Sequence, residues 1–300
     1  MTTTQRPPTL DPVAAAHWER MAPLESPWLH EEVASRMLDR LQWITLKPEF
    51  WCDWGALRGG LKAHEKLVLQ YPKATCYVAE STPARQHEAA RQLASPRWNP
   101  ASWMRPQPRF EAPPPLSSDM LWANMALHES PDPQALLAEW HRALKVGGFV
   151  MFSSLGPDTA IELREVYRAT GWPPAAHELT DMHDWGDMLV QTGFSEPVMD
   201  MERITLTYET PGRLLQELRE LGRNLHPGRF GGLRGRRWKA TLESALARHL
   251  TEEPDGRLSL TFEVIYGHAF KPQPRVKVNA LSAVSEDDMR RMLQGSRGRA

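Results

Sequence analysis

The chain has 300 residues, 41% of them hydrophobic and 24% charged, with a net charge of −1. That composition can bury a core and excludes a wholly disordered chain, and the near-neutral charge excludes a global electrostatic bias toward nucleic acid or a membrane surface. No apolar run approaches the ~18 residues that span a bilayer, and the opening MTTTQRPPTL lacks the basic and apolar regions of a signal peptide, so a soluble, cytoplasmic protein is expected.

Residues 1 to about 10 form a polar arm that is expected to be mobile. A helix pair follows, Pro12 to Arg20 and Trp28 to Trp43, the second with an apolar stripe of Val33, Met37, Leu38 and Leu41. After the Lys47-Pro48 break, FWCDWG reads as a strand ending in Asp53 and Gly55, and LRGG leads into a helix from Leu61 to Tyr71. TCYVAEST is a second strand, ending in Glu80, and Pro83 takes the first position of a helix that runs to about Leu93. From Ser95 to Ser117 seven prolines exclude a continuous helix and confine any strand, such as one around Arg109 to Glu111, to a sheet edge.

The next stretch carries the clearest pattern. A buried strand (Met120 to Met125), a helix opened by Asp132-Pro133, a turn at Lys145 to Gly148 and a second buried strand (Phe149 to Leu155) make one unit of a parallel α/β sheet. The helix covers the sheet with Leu136, Leu137, Trp140 and Leu144 at helical spacing. Helices at Asp158 to Thr170 and Asp184 to Thr192 follow, the latter with Gly193 at a C-cap position, and then a strand at Glu202 to Tyr208. Residues Pro211 to His249 are helical around the loop HPGRFGGLRGRR, the last strand is Leu258 to Phe270, and a polar tail closes the chain. The organisation is therefore an arm and helix pair over 1–46, an α/β domain over 47–270 with a helical insert at about 211–250, and a tail over 271–300. In such a doubly wound sheet a ligand binds at the carboxyl ends of the strands.

Cys52 and Cys76 both fall in predicted strands and read as buried, reduced thiols. Asp181, His183 and Asp184 have a metal-like spacing, but Asp181 and Asp184 read as an N-cap pair for the helix that follows, and no metal site is expected. RFGGLRGRRWK, from Arg229 to Lys239, is a basic segment with two aromatics, too short in a chain of this charge to define a nucleic-acid site.

The stretch from Ser117 to Arg164 resembles the second half of a class I S-adenosylmethionine (SAM) dependent methyltransferase. Within that superfamily it is similar to the malonyl-carrier-protein O-methyltransferases of biotin synthesis. The likeness continues through GPDTAIELREVY, TDMHDWGDMLVQTGF and TFEVIYGHAF. It implies a Rossmann-like, mainly parallel seven-stranded sheet with helices on both faces, a helical insert before the last strand, and an N-terminal segment that closes over SAM. It places Asp53, Gly55 and Gly59 in the glycine-rich turn, Glu80 at the ribose hydroxyls, and Asn124 in the cofactor pocket. Transfer to a carboxylate needs no general base, so the strongest demand is for an arginine that holds the acceptor; Arg164, Arg223, Arg229 and Arg234 are the candidates. The implied partner is an acyl-carrier protein or a small thioester, to which the basic insert is complementary, and a monomer is expected.

Two positions depart from the family pattern. Leu57 stands where the turn's middle glycine belongs, and a Leu there is expected to intrude on the ligand, with Trp54 and Arg58 adding bulk. Glu25-Ser26 replaces a Tyr-Asp pair of the N-terminal segment. Two alternatives follow: a non-catalytic relative that binds a protein partner, or another reaction on the same scaffold, such as the arginine hydroxylation of a similar mitochondrial complex I assembly factor, whose Asp-Gly approach to the last strand is matched by Asp255-Gly256. A pocket blocked by Leu57 and Trp54 favours the first of these; an open pocket favours an enzyme.

Overall fold

A computed structural model describes residues 10–94, 105–251 and 255–274. The N-terminal arm up to residue 9, much of the proline-rich segment and the tail beyond residue 274 lie outside the described residues. Two helices open the fold. In α1 (Pro12–Met21) the Asp11 side chain accepts from the amides of Val13 and Ala14 and a proline occupies the first turn. In α2 (Trp28–Leu41) the stripe Leu29, Val33, Met37 and Leu41 is buried.

The sheet then builds outward from β1 (Phe50–Trp54), followed by the short α3 (Ala56–Gly59), α4 (Leu61–Gln70), β2 (Thr75–Ala79) and α5 (Pro83–Leu93). After β3 (Ser118–Ala123) come a 3₁₀ turn (Leu127–Glu129), α6 (Pro133–Ala143), β4 (Leu144–Leu155), α7 (Ile161–Ala169) and α8 (Met182–Thr192). The chain closes with β5 (Ser195–Tyr208), α9 (Pro211–Leu221), α10 (Arg236–Leu250) and β6 (Leu258–Phe270).

Among the described residues the sheet has six strands in the order β2-β1-β3-β4-β6-β5. β1, β2, β3 and β4 pair in parallel, and β6 runs antiparallel to both β4 and β5. This corrects the expected count of seven. The described part of the proline-rich segment contributes one bridge at the β2 edge, where the Arg109 amide donates to the Cys76 carbonyl at 2.8 Å and its carbonyl accepts from the Val78 amide at 2.8 Å. Pro106 and Pro108 on one side and Pro113 to Pro115 on the other carry no amide hydrogen, so the ladder cannot extend.

Alternation along the strands sorts the core into two layers. Trp51, Met120, Trp122, Phe149 and Met151 face one side, with Val33, Leu67, Leu163 and Leu246 from α2, α4, α7 and α10. Cys52, Leu121, Ala123, Val150 and Phe152 face the other, under Leu137 and Trp140 of α6 and Trp185 and Leu189 of α8. Of the four residues predicted from spacing as the helix's sheet-covering face, Leu136, Leu137 and Trp140 are on α6 and Leu144 instead opens β4, and all four lie in or against this second layer. The predicted turn at Lys145 to Gly148 is an irregularity inside a continuous strand, with Gly147 at φ 81°.

The two N-terminal helices are held differently. α2 is tied to the far edge of the sheet: Arg36 pairs with Glu202 at 2.8 Å, and Arg40 pairs with Asp200 at 2.7 Å while its guanidinium carbon sits 3.8 Å from the Tyr266 ring centroid. α1 instead packs Ala15 and Trp18 against Leu225, beyond α9, and Asp11 donates its amide to the Leu225 carbonyl at 2.9 Å.

Candidate functional site

At the carboxyl ends of β1, β2 and β3 lies a cavity of about 500 Å³. Its floor is the segments that leave those strands: Trp54-Gly55, Glu80-Ser81, and Asn124 to Ala126. α1 roofs it with Ala15, Trp18 and Glu19.

The turn after β1 is made by glycine. Gly55 has φ 76° and ψ 41°, the left-handed region that a side chain resists, and its amide donates to the Ala79 carbonyl at 2.8 Å. Gly59 comes so near the start of the next loop that a Cβ there would stand 3.3 Å from the Asn124 carbonyl. Between them the chain is helical, and this corrects the expectation for Leu57. It carries no positive φ, its side chain is fully buried in the α2–α4 layer, and it is absent from the cavity wall. One turn of helix directs Leu57 inward, so the bulk that threatened the pocket strengthens the core below it. Trp54 and Arg58 do line the cavity and leave it open.

Leu57 contributes to the site through its backbone: its amide donates to Glu80 Oε1 at 2.9 Å. Burial pushes the Glu80 carboxyl up to about 7, against the opposing pull of that hydrogen bond and of Arg85. Glu80 is thus an acid in the cavity wall that titrates near neutrality.

Asn124 is buried and fully engaged. Its amide nitrogen donates to the carbonyls of His30, at 2.8 Å, and of Gly59, while its Oδ1 accepts from Ser153 Oγ at 2.6 Å. It therefore locks α2, the glycine turn and β4 together while it borders the cavity. Met125, next in the wall, stands at φ 56° with its amide held by Ser153 Oγ at 3.0 Å. The Asp53 carboxylate also points away from the cavity: pleating puts it on the α4 side, where Oδ2 meets His64 Nδ1 at 2.7 Å in a buried pair. The sequence placed Asp53 and Asn124 at the ligand; the structure gives both side chains the task of holding the turn.

The candidate arginines separate. Arg229 pairs with Asp11 at 2.6 Å and clasps the start of α1 to the insert. Arg164, on α7, donates to the His177 carbonyl at 3.2 Å and lies outside the cavity wall. Arg234 stacks between Phe230 and Trp238, 4.4 and 3.9 Å from their ring centroids. Arg223 is also absent from the wall but borders it, its guanidinium carbon 4.9 Å from the ring of the wall residue Trp18 and its Nη1 on the Gly222 and Arg219 carbonyls.

Trp18, Arg85 and Glu129 are wall residues that the sequence did not single out, and Arg58, expected there only as bulk, joins them. Trp18 Nε1 donates to Glu129 Oε1 at 3.0 Å, and Arg58 sends Nη1 and Nη2 to the Glu220 and Leu221 carbonyls at 3.0 and 2.8 Å. Burial raises the Glu129 carboxyl although Arg58 and Trp18 act against it. They gather only in tertiary structure; the one local signal is Arg85, a cation in the first turn of a helix, where the dipole disfavours it.

Among the described residues no group of His, Cys, Asp and Glu could hold a metal ion, and Asp181 alone caps α8, through the His183 amide at 2.8 Å. Cys52 and Cys76 are free and buried, and burial raises both thiols. No helix among the described residues is long and apolar enough to cross a membrane.

The methyltransferase-domain family matches residues 70–152, which hold β2, β3, α6 and most of β4. Two solved structures share the fold at TM-score 0.51: a Bacillus halodurans protein (16% identity, covering 80% of this chain and 100% of that one) and the YcgJ protein of Bacillus subtilis (14%, covering 81% and 99%). Sheet order, ligand-end cavity and domain match define a class I methyltransferase. The malonyl-[acyl-carrier protein] O-methyltransferase of Gallionella capsiferriformans is 39% identical over 258 residues, 83% of this chain and 86% of that protein. That of Nitrosospira multiformis is 36% identical over 278 residues, 87% and 89%. The chain belongs to the malonyl-[acyl-carrier protein] O-methyltransferase family.

Proposed function

We propose that this protein methylates the free carboxyl of a malonyl thioester carried by an acyl-carrier protein, with SAM as methyl donor, in an early step of biotin synthesis. The observation that carries the reading is the meeting, in one open cavity, of the left-handed Gly55 turn, the Glu80 carboxylate and the roof helix α1. A cavity of about 500 Å³ lies within the range that encloses small cofactors.

Gly55 and Gly59 bring the backbone close to the methionine part of the donor, Glu80 accepts from the ribose hydroxyls, and the backbone of Asn124 borders the pocket. SAM supplies a methyl group already activated on a sulfonium. The protein's part is alignment: a malonyl carboxylate is ionised at neutral pH, so the walls hold it in line with the methyl and exclude water, and no side chain removes a proton. Arg223 is assigned to the acceptor carboxylate because its guanidinium, whose Nη1 also donates to the Arg219 and Gly222 carbonyls, borders the wall residue Trp18, while Arg229 is ion-paired with Asp11 and Arg164 lies away from the wall. The exposed Phe230 and Leu233, between Arg229 and Arg234, offer an acidic carrier protein an apolar contact with a basic rim.

Calorimetric titration with SAM and with S-adenosylhomocysteine tests the reading. Micromolar binding that disappears in Glu80→Ala, followed by methyl transfer to malonyl-carrier protein and loss of growth without biotin on gene deletion, is the expected outcome. A folded protein that binds neither ligand at millimolar concentration refutes it.

A further inference from the structure

Arg85 is 5% exposed, although it sits in the first turn of α5. A guanidinium is retained in such a place only where acceptors meet its donors. Here Nη2 donates to the Ala22 carbonyl at 2.8 Å and to that of Pro23 at 3.4 Å, and Nε donates to the Glu19 carbonyl at 3.3 Å. Ala22 is the C-cap of α1, so an α5 side chain reaches the roof helix and satisfies carbonyls at its negative end. The contact cancels for Arg85 the unfavourable dipole of its own helix.

One nitrogen is left over. Nη1 is buried and has no hydrogen-bond partner among the described residues, and Arg85 is itself part of the cavity wall, on the segment that carries Glu80 and Ser81. An unmet donor on a buried cation is an unfavourable arrangement that an incoming acceptor relieves. The cation also acts electrostatically on Glu80 and Glu129, the two wall carboxylates that burial disfavours.

We propose that Arg85 is a positioning residue for the nucleoside end of the ligand: Nε and Nη2 hold the roof helix α1, and Nη1 donates to an acceptor atom of the bound adenosine, so that binding and closure of α1 are one event. This rests on the reading of the cavity as a SAM site. The nucleoside is the assigned contact because Arg85 follows Glu80, the ribose acid, by five residues on the same wall. The methionine end belongs to the Gly55 turn, on a different strand.

The test uses the full chain, with Arg85→Met, which keeps length and removes the donors, and Arg85→Lys, which keeps the charge with a single nitrogen. S-adenosylhomocysteine and 5′-methylthioadenosine, which has the nucleoside without the amino-acid carboxylate, are titrated calorimetrically. Amide hydrogen exchange over residues 12–21 is followed with and without each ligand. In the wild type both ligands bind and slow exchange in α1. Arg85→Met weakens both ligands about tenfold to a hundredfold and loses the ligand-dependent protection, and Arg85→Lys recovers part of each. Circular dichroism and melting of both variants verify the fold, and Arg85→Lys decides the matter where Arg85→Met is unfolded. If the variants bind within twofold of wild type with α1 still protected, Arg85 is only a structural tie and the proposal fails. Weakening confined to S-adenosylhomocysteine overturns the nucleoside assignment. Absence of binding in the wild type refutes the SAM reading itself, and this inference with it.

Discussion

Restoring the family's middle glycine by Leu57→Gly is expected to damage the protein without improving its cofactor site. Leu57 is fully buried in the larger core layer, against α2 and α4, and lies outside the cavity wall. Removing a buried Leu side chain costs about 2 to 5 kcal/mol, and glycine in place of alanine within a helical turn costs about 1 kcal/mol more. The sum, about 3 to 6 kcal/mol, is a large part of a typical domain stability of about 5 to 15 kcal/mol. Thermal melting reads it as a fall on the order of 10 °C in Tm. S-adenosylhomocysteine titration on the same sample, below its transition, is expected to give a Kd no tighter than wild type, because the Leu57 amide that holds Glu80 is retained by any residue other than proline. A variant that binds the ligand more tightly with an unchanged Tm would show that Leu57 occupies ligand space, and would refute the inward placement.

Four further outcomes follow from the site. Glu80 titrates at about 7, above the usual carboxylate range, so it is largely protonated at pH 6 and ionised at pH 8. The ionised fraction rises about tenfold over that interval, and S-adenosylhomocysteine affinity is expected to rise by about the same factor, whereas Glu80→Gln gives a flat profile. The same raised value makes the unliganded fold lose stability as pH rises from about 4.5 to about 7, since the folded state then holds the proton that the unfolded state has released; melts across that range check the sign. Asn124→Ala leaves the His30 and Gly59 carbonyls without their donor and is expected to destabilise by about 2 to 4 kcal/mol in denaturant unfolding, a fall that a surface asparagine would not produce. Arg223→Met is expected to raise the KM for the malonyl-carrier substrate about tenfold with S-adenosylhomocysteine affinity unchanged, while Arg229→Met loosens α1 from the insert; equal effects of the two on KM would remove the distinction drawn between them.

How much the sequence disclosed depended on how local each feature is. The β3-α6-β4 unit was readable because two continuous apolar runs flank a helix that begins at Asp132-Pro133, signals contained within a few residues of each element. The turn glycines were readable too, since their need for space and positive φ is a property of the backbone there. Leu57 was misjudged because spacing shows that a residue occupies a turn and says nothing of which way one turn of helix aims it. The seventh strand was overestimated because prolines allow an edge position without showing how short the pairing will be. Asp53 and Asn124 have the residue types of ligand contacts, yet His64, His30 and Ser153, which claim their side chains, come from elsewhere in the chain. Trp18 meets Glu129 across 111 residues of sequence and Arg85 meets Ala22 across 63, a convergence that only the folded chain reveals.

The pairing of the last two strands separates what can change in this molecule from what cannot. β4 pairs with β6 only over Phe149 to Leu155, opposite Val264 to Phe270, while β5 and β6 stay paired from there out to Tyr208 and Leu258. Among the described residues the outer half is therefore a two-stranded ribbon, its inner edge held by the Gly156 and Ala160 amides, which donate to the Glu263 and Thr261 carbonyls at 2.9 and 2.7 Å. α9 and α10 are packed on that ribbon, and the strands that floor the cavity are not part of it. In evolutionary terms α9 and α10 are mounted on an outrigger: they can be lengthened or recharged while β1, β2 and β3 keep their register, provided that the Glu220 and Leu221 carbonyls still meet Arg58.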